Sequence, residues 1–549
     1  MHQPTRGHAR RSPRSRLGGR PGPARPGWQT DAVTASTTEV QPGPRRPPTT
    51  LGTLPRPLRA TGRATGRALR RVTVPAWVLA GLMAVWSFEF IRLGWLRHSR
   101  FGTFSFDLGI YDQGTWLLSR GKDPFVTVRG LELFGHHVNG IFLLFAPFYR
   151  LGAGPGFLLV VQVLVQASGA AAVYLLARDR LGDRWLAAAL GAVLLLNPTY
   201  QWLTWEFFHP DAIAIAPLLF AYWAARAGRW GWFTMFAVLA AACKEDVALA
   251  LVVIGILAVF WGHRRRGLVI AGLSIAWYFV ATRLVIPWQN GIGPFYDTFF
   301  GNLGHNPAEV AGHVVTHPRE AFDLATESDR VTWYWRMFAP FAFVPLLALP
   351  VLAVGGPMFA VNVLSSFPYT RDFRYHYSSL VLAGLVLATV EGIAWAGRTP
   401  TVRRVLVGAV LVSSLVATVN WGPSRIGDQY ATGTWPLQSD RQVAKEAAVA
   451  LVPDGAPTSA VYNFVPHLAH RELIYDFPNP WRVVNWGVRG EHPPDPAAVR
   501  WIVVDRREMS PEDAALFARL ARRQFVVVFE RDDIVVAKRV HAPPSRSRP

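Results

Sequence analysis

Long apolar runs separated by short polar connections fill the chain between residues 74 and 421. A run of about 20 apolar residues forms a helix long enough to cross the roughly 30 Å hydrocarbon core of a bilayer. The pattern therefore predicts an all-α membrane bundle of about eleven transmembrane helices over residues 73–421. The runs lie near 74–96, 157–177, 185–203, 211–226, 230–243, 246–261, 267–287, 337–354, 357–369, 376–396 and 403–421.

Two pairs of runs, 230–243 with 246–261 and 337–354 with 357–369, are short for a bilayer. Each pair is a hairpin, one long kinked helix or a re-entrant segment. The connections that begin at residues 178, 226, 263 and 398 are rich in Arg, and short basic loops stay in the cytoplasm. All four fall on one side only if both pairs are hairpins, which favours eleven crossings.

This topology fixes which parts of the chain are predicted to face outward. With a cytoplasmic N-terminus in the plasma membrane, loops 97–156 and 288–336 lie on the outer side. The chain after residue 421 lies there too. Within 156–288 and 337–421 the connections between helices alternate between the two faces of the membrane, so every second connection is cytoplasmic.

The periodicity changes after residue 421. Segments 456–468, 499–505, 524–530 and 533–539 are short and rich in Val and Ile, and they predict strands. SDRQVAKEAAVAL and SPEDAALFARLARR predict amphipathic helices that begin with Ser and an acidic first turn. We therefore predict a small extracytoplasmic α/β domain over 422–541, followed by a disordered tail at 542–549.

The positive charge of the chain is concentrated at its N-terminus. Residues 1–72 contain fifteen Arg against Asp31 and Glu39, so this segment carries +13 of the formal charge of +21. It is rich in Pro and Gly and lacks apolar periodicity, which predicts a disordered cytoplasmic tail that contacts membrane lipids. No nucleic-acid partner is expected, because the rest of the chain is predicted to be membrane-embedded. A single cysteine, Cys243, excludes an internal disulfide.

Four clusters of ionisable residues fall on the predicted outer side of the membrane. Ionisable groups are costly at this depth, so their gathering on one face predicts a functional site. The clusters are Asp107 and Asp112 in FSFDLGIYDQGTW; Glu206, His209 and Asp211 in TWEFFHPDAIA; Lys244, Glu245 and Asp246 in CKED; and Arg371, Arg374 and His376 in YTRDFRYHYSS.

Each cluster also has a structural interpretation. Glu206 and His209 could only cap a helix, the KED run could be a self-neutralising turn, and Arg371 with its neighbours could anchor the interface. Asp107 and Asp112 are five residues apart in sequence. In an α-helix this spacing places two side chains about 140° apart around the helix axis, so they do not share a face and at most one is central to the chemistry.

The stretches FDLGIYDQGTW, GHH, EFFHPDAIAIAPLLFAYW, KED and RYHY resemble an uncharacterised bacterial membrane-protein family, a domain of unknown function. This family is grouped with the GT-C superfamily of glycosyltransferases, and the resemblance covers about residues 85–540. It implies transfer of a sugar from a polyprenyl-phosphate donor to an envelope glycan, lipid or protein. A catalytic acid in the first outer loop would then correspond to Asp107, with Asp112 as second choice.

The chemistry of such a transfer needs a base and a cation. A carboxylate can take the proton of the acceptor hydroxyl, and Arg371, Arg374 or Lys244 can stabilise the leaving phosphate. His209 and His376 are candidates for binding phosphate or sugar hydroxyls. The loop lacks a clear DxD pair, so no cofactor is predicted with certainty and a divalent metal is left open.

Two other functions fit the same charges. A transporter or flippase of a lipid-linked or anionic solute would use intramembrane charges, although no internal repeat of the kind common in transporters is evident. A non-catalytic scaffold would use the outer domain to bind envelope partners. The sequence favours an inverting glycosyltransferase over both.

Overall fold

The apolar runs form helices in the computed structural model of the chain, which describes residues 73–205, 208–291, 299–431, 439–487 and 495–540. The predicted tails, 1–72 and 542–549, lie outside the described residues. The first helices are α1 (Val74–Ser99), α2 (Ile110–Ser119), α3 (Leu133–His136), α4 (Phe142–Arg150), α5 (Pro155–Leu181), α6 (Arg184–Leu196), α7 (Pro198–Trp205), α8 (Pro210–Arg226), α9 (Trp230–Ala241) and α10 (Val247–Phe260).

The chain continues through shorter and more irregular helices before two long ones. These are α11 (Arg264–Val280), α12 (Ile286–Asn290), α13 (Pro307–Thr316), α14 (Pro318–Ala325), α15 (Ser328–Phe338), α16 (Leu349–Leu352), α17 (Gly356–Leu364), α18 (Ser379–Ala396), α19 (Pro400–Trp421) and α20 (Asp428–Ala431). The C-terminal part adds α21 (Asp440–Ala450), α22 (Val465–Leu468) and α23 (Pro511–Arg523). The fold is mostly helical, as predicted.

The predicted number of membrane crossings is not confirmed by the helices of the structure. Among the described residues, five helices are long and apolar enough to cross a bilayer, or up to seven if each of two bent pairs is one span. The five are Val74–Ser99, Pro155–Leu181, Arg264–Asn290, His376–Ala396 and Pro400–Trp421. Two apolar helices, α9 and α10, are shorter. Eleven crossings are therefore not confirmed.

The two bent pairs have identifiable causes. Helices α6 and α7 meet at 53°, where Pro198 has no N–H to continue the helical ladder. Segments Ser328–Phe341 and Val344–Leu352 meet at 84°. Between them Ala342 and Phe343 adopt positive φ values of 49° and 58°, which an α-helix cannot contain. The predicted single runs 185–203 and 337–354 are thus broken.

Burial separates central helices from peripheral ones. Every residue of α18 from Ser379 to Ile393 is buried, and α8 is buried along almost its whole length. In α11, only Gly267 and Ser274 are buried, while apolar side chains such as Leu273 and Phe279 are exposed. Apolar side chains exposed on such a helix contact lipid in a bilayer, so α11 lies at the periphery and α18 at the centre.

A mixed five-stranded sheet lies in the C-terminal part. After a two-stranded hairpin in the first loop, β1 (Phe125–Val126) with β2 (Leu131–Glu132), the strands are β3 (Thr458–Ala460), β4 (Ile474–Asp476), β5 (Trp501–Asp505), β6 (Phe525–Arg531) and β7 (Ile534–Arg539). The order is β4-β3-β5-β7-β6. Strand β3 is parallel to β4 and β5, whereas β7 is antiparallel to β5 and β6.

The sheet matches most of the predicted elements. Strands β5, β6 and β7 coincide with predicted strands, and α21 and α23 with the predicted helices. The segment 456–468 is wrong in part, because only its start is a strand and α22 follows. Strand β4 was not predicted, since its three residues are too few for an alternating pattern. All the described residues belong to one compact unit, so the separateness of 422–541 as a domain stays a prediction.

Candidate functional site

Asp107 occupies a tight turn between α1 and α2. Its backbone has φ 63° and ψ −85°, which is close to the geometry of a γ-turn with positive φ, a strained conformation for any residue with a Cβ. The amide of Gly109 donates to the carbonyl of Phe104 at 3.3 Å and closes the turn. Such a strained conformation persists only where the surrounding structure holds it.

The carboxylate of Asp107 is about a quarter exposed, with a side-chain exposure of 24%. Within the described parts of the chain, no group donates a hydrogen bond to it. The ring of His209 lies nearby, with its Nε2 3.8 Å from Oδ1. Burial raises the pKa of Asp107; the ring of His209 lowers it and the charge of Asp211 adds to the rise. The carboxylate is therefore a stronger base than an ordinary aspartate.

His209 stands at the start of α8, behind Asp107. It precedes Pro210, which disfavours helical backbone, so His209 is extended and its side chain lies beside the first turn of the helix. Nδ1 lies 2.7 Å from Oδ2 of Asp211. Nε2 lies 3.2 Å from the hydroxyl of Tyr111, and the ring stacks on that of His376 with centroids 3.5 Å apart. The ring is thus held on three sides.

Asp211 connects this histidine to a buried lysine. The ammonium of Lys244 donates to Oδ1 of Asp211 at 3.1 Å and lies 3.4 Å from Oδ2 of Asp246. Lys244 is only 5% exposed, so its charge needs both carboxylates. A continuous row therefore runs from Asp107 through His209 and Asp211 to Lys244.

Glu245 belongs to a neighbouring contact that fixes the first loop. Its two oxygens accept hydrogen bonds from Nδ1 of His137 at 2.7 Å and from the amide of Val138 at 3.0 Å. The side-chain amide of Asn139 also donates, through Nδ2, to the backbone carbonyl of Cys243 at 2.5 Å. Glu245 is 1% exposed and acts here as an anchor between loop 97–156 and the α9–α10 turn.

Asp112 lies elsewhere, in the first turn of α2. It is completely buried and accepts a hydrogen bond from the hydroxyl of Tyr149 at 2.7 Å. Nε2 of His470, from the C-terminal part, lies 3.3 Å from the same oxygen. Burial lowers the pKa of His470, but the hydrogen bond and charge of Asp112 outweigh it and raise the pKa overall. Asp112 thus ties α2 to α4 and to the C-terminal part.

The two candidate arginines differ in their engagement. The guanidinium of Arg371 donates to the carbonyl of Ser365 and to Asp329, both at 2.7 Å, and is 6% exposed. Arg374 pairs with Asp372 at 2.6 Å and remains 45% exposed. Glu206, the remaining candidate, lies outside the described residues.

A cavity of about 430 Å³ opens beside Asp107. Its lining comes from the Asp107 turn, from the segment before α18 and from the C-terminal part. The lining residues are Phe104, Ser105, Phe106, Asp107, Tyr369, Tyr375, His376, Tyr377, Tyr462, Asp476 and Asn485. Of the predicted site residues, Asp107 and His376 line the cavity, and His209, Asp211 and Lys244 stand behind Asp107.

Sequence reasoning missed the contribution of the C-terminal part to this cavity. Oδ2 of Asp476 accepts a hydrogen bond from the hydroxyl of Ser105 at 2.8 Å. Burial raises the pKa of Asp476 to about 7; the Ser105 hydrogen bond lowers it and the charge of Asp513 adds to the rise. The available signal was the placement of Asp476 at the carboxyl end of a strand, but that strand was itself not predicted.

Metal binding at this site has no support from ligand geometry. In the ranges that the structure describes, no group of three or more His, Cys, Asp or Glu side chains is arranged to hold a metal ion. The divalent metal left open by the sequence therefore stays untested.

The apolar spans and the buried polar row beside a cavity define a polytopic helical membrane protein. Residues 97–536, most of the chain, match the family described as "Predicted membrane protein (DUF2079)", and the chain belongs to that family. The family resemblance inferred from the motifs is thereby confirmed. No curated protein matches the chain.

Solved structures show a distant similarity. ArnT from Cupriavidus metallidurans bound to undecaprenyl phosphate has 15% sequence identity and a TM-score of 0.48, over 86% of this chain and 100% of that chain. The apo state of the same protein has 15% sequence identity and a TM-score of 0.49, over 86% of this chain and 98% of that chain. The oligosaccharyltransferase of Archaeoglobus fulgidus, in complex with Zn and sulfate, gives 12% identity and a TM-score of 0.32, over 72% and 63%.

Proposed function

We propose that this protein is a GT-C-like inverting glycosyltransferase of the plasma membrane. It moves a sugar from a polyprenyl-phosphate carrier to an envelope acceptor at the outer face, with the N-terminus in the cytoplasm. The observation that carries the proposal is the Asp107 carboxylate, which lacks a hydrogen-bond donor among the described residues and lies on a strained turn at the wall of a cavity. The family resemblance supplies the reaction class.

Asp107 acts as the general base in this proposal. It takes the proton of the acceptor hydroxyl while the hydroxyl oxygen bonds to the anomeric carbon of the donor sugar. The bond from that carbon to the phosphate oxygen breaks on the opposite face, and the phosphate leaves with the electron pair. Asp107 then releases its proton to water. Its raised pKa suits this role, because a base works best with a pKa closer to the working pH.

The residues behind Asp107 position it. His209 lies 3.8 Å from the carboxylate and is itself held by Asp211, which is held by Lys244. These residues are buried and paired, so they fix the geometry of the base.

The leaving phosphate needs a cation that a ligand in the cavity can reach. Lys244 and Arg371 are each buried in ion pairs. Arg374 is 45% exposed and directly precedes two lining residues, Tyr375 and His376. We therefore assign the phosphate to Arg374, whose guanidinium can bind a phosphate through two hydrogen bonds.

Purified full-length protein supplied with radiolabelled polyprenyl-phosphate sugars and envelope extract tests the reaction. We expect transfer of label, and a loss of about 10²- to 10⁴-fold in the Asp107→Asn variant. The matched control is Asp123→Asn, an exposed carboxylate of the same loop, which keeps full transfer. Full transfer by Asp107→Asn would remove Asp107 as the base.

The same preparation separates the two rival functions. Movement of labelled carrier across liposomes without any covalent change would favour a flippase. A scaffold would be favoured if neither transfer nor flux occurred and envelope proteins bound to the C-terminal part.

A further inference from the structure

The parallel part of the C-terminal sheet ends at the cavity. Strand β4 finishes with Asp476, and Tyr462 follows the end of β3 by two residues. Both residues line the cavity beside Asp107. In open sheets with parallel strands, ligands bind outside the carboxyl ends of the strands. The position of Asp476 and Tyr462 is therefore one at which this kind of sheet binds ligands.

Packing holds this sheet edge against the Asp107 turn. Ser105, two residues before Asp107, donates to Oδ2 of Asp476 at 2.8 Å. A Cβ placed on Gly109 would lie 3.1 Å from Cγ1 of Val465, so the turn and α22 are in close contact. The hydroxyl of Thr127 also donates to the carbonyl of Ile474 in β4, at 2.7 Å. Asp476 is thus fixed relative to Asp107.

One oxygen of Asp476 remains available to a ligand. Oδ2 is taken by Ser105, whereas Oδ1 has no hydrogen-bond partner in the described ranges of the chain. The hydroxyl of Tyr462 donates to Glu508 at 2.8 Å, so Tyr462 contributes mainly its ring to the cavity. An aromatic ring next to a free carboxyl oxygen suits a molecule with both an apolar face and hydroxyl groups, such as a sugar.

The charge of the lining limits which sugar fits. The described lining carries two carboxyl groups, Asp107 and Asp476, and no Lys or Arg. The guanidiniums of Arg97 and Arg129 lie over the rings of Phe104 and Phe106, at 5.5 and 6.0 Å, and are not lining residues. An acidic sugar would bring a negative charge beside these two carboxyl groups, and the described lining holds no Lys or Arg to pair it.

We propose that Asp476 binds a hydroxyl group of the transferred sugar, and that the C-terminal sheet thereby selects a neutral sugar over an acidic one. This inference rests on the proposed function, because the transferred sugar is the substrate part that must lie beside Asp107 whatever the acceptor is. The raised pKa of Asp476, about 7, supports it. A carboxyl group that is protonated about half the time at neutral pH both donates to and accepts from hydroxyls.

The test measures donor binding separately from transfer. Full-length protein in detergent is titrated with radiolabelled polyprenyl-phosphate glucose, galactose, mannose and arabinose, and with the glucuronic and galacturonic acid counterparts. We expect at least one neutral donor to bind about tenfold more tightly than any acidic donor. In Asp476→Ala the affinity for that neutral donor falls about tenfold or more, the loss expected for a hydrogen bond to a carboxyl group.

Conservative and control variants separate recognition from folding. Asp476→Asn keeps the shape and one acceptor oxygen, so it loses less affinity than Asp476→Ala and discriminates less against acidic donors. Asp454→Asn, an exposed carboxylate in the turn before β3, binds as the wild type does. In transfer assays Asp476→Ala raises KM for the donor more than it lowers kcat, whereas Asp107→Asn lowers kcat.

The outcomes distinguish this inference from the proposed function. If the wild type transfers sugar and Asp476→Ala binds donors with unchanged affinity and preference, the role of Asp476 is wrong and the glycosyltransferase stands. If acidic donors bind the wild type as tightly as neutral ones, the selection is wrong. If neutral donors bind through Asp476 but no acceptor receives label, the inference stands and the transfer reaction falls.

Discussion

The turn at residues 105–109 and the first turn of α2 each carry one carboxylate, and the two lie five residues apart in a single stretch. Asp107 is partly exposed, has no hydrogen-bond donor in the described chain and has a positive φ. Asp112 is fully buried, lies on a regular helix and is held by Tyr149 and His470. A carboxylate held by partners in the interior stabilises the fold, whereas one kept free at a cavity wall is available for chemistry.

The two carboxylates also differ in what supports them. Behind Asp107 stands the row of His209, Asp211 and Lys244, which is buried and charged. Asp112 instead joins segments that are far apart in sequence, since His470 is 358 residues away. Perturbing the first group should damage the site, and perturbing the second should loosen the packing of the C-terminal part.

The largest effect is expected for Asp211→Ala, which tests the support behind Asp107. Among the described residues, the change leaves the buried ammonium of Lys244 with one ion-pair partner, Asp246, at 3.4 Å. Breaking one partner of a buried ion pair costs about 3–5 kcal/mol, so the apparent melting temperature in detergent should fall strongly. The triple variant Asp211→Leu, Lys244→Met and Asp246→Asn removes all three charges of this ion-pair group and should recover most of the stability, but not transfer. Equal melting temperatures of the single variant and the wild type would contradict this support.

A smaller loss is expected for Asp112→Ala. The hydroxyl of Tyr149, itself 1% exposed, loses its acceptor and is left buried without a partner. An unsatisfied buried group costs about 1–3 kcal/mol, which a thermal unfolding curve resolves. Asp123→Ala, an exposed aspartate of the same loop, serves as the control and should be neutral. If Asp112→Ala abolished transfer at unchanged stability, Asp112 would be the catalytic carboxylate instead.

In contrast to the two preceding variants, Asp107→Gly is expected to increase the stability of the fold. Glycine adopts positive φ without steric cost, so the change relieves backbone strain and should raise the free energy of unfolding by up to about 1 kcal/mol. The same variant should lose transfer, because the base is gone. Asp107→Ala is the matched control, since it removes the carboxylate but keeps the strained Cβ. Lower stability of the glycine variant than of the alanine variant would show that the turn is not strained.

Much of this contrast was predictable from local sequence. The five-residue spacing indicated that Asp107 and Asp112 do not share a helical face. The start of α8 is also determined locally, because Pro210 disfavours helical backbone at His209 and is itself suited to the first position of a helix. Apolar runs likewise predicted most helices of the bundle, because the apolar side chains that a helix buries are visible in its own sequence.

What the sequence did not predict depends on contacts between distant segments. Asp476 reaches the cavity through Ser105, 371 residues away, and no local pattern encodes that approach. Arg371 is engaged by backbone carbonyls such as that of Ser365, which a sequence does not reveal. The bend after Phe341 depends on positive φ values at Ala342 and Phe343. Neither residue is a glycine, so the sequence does not indicate that conformation.

The smallest effect is a pH dependence carried by His470, which reports the structural role of Asp112. The folded-state pKa of His470 is raised above its unfolded value of about 6.5. Its contribution to stability is therefore fully present below pH about 6.5 and is lost as pH rises through the folded-state pKa. Wild-type protein should show a slightly lower melting temperature above that pKa than at pH 6, and His470→Gln should lack this contribution.

Two further variants test which groups cause this dependence of the melting temperature on pH, referred to here as the slope. Asp112→Ala removes the carboxylate that raises the pKa of His470, so it should abolish the same part of the slope even though His470 is intact. His305→Gln changes an exposed histidine before α13 and should leave the slope unchanged. If Asp112→Ala kept the wild-type slope, Asp112 would carry no charge interaction with His470. The separation of a structural Asp112 from a reactive Asp107 would then rest on burial, on the hydrogen bond from Tyr149 and on the positive φ of Asp107.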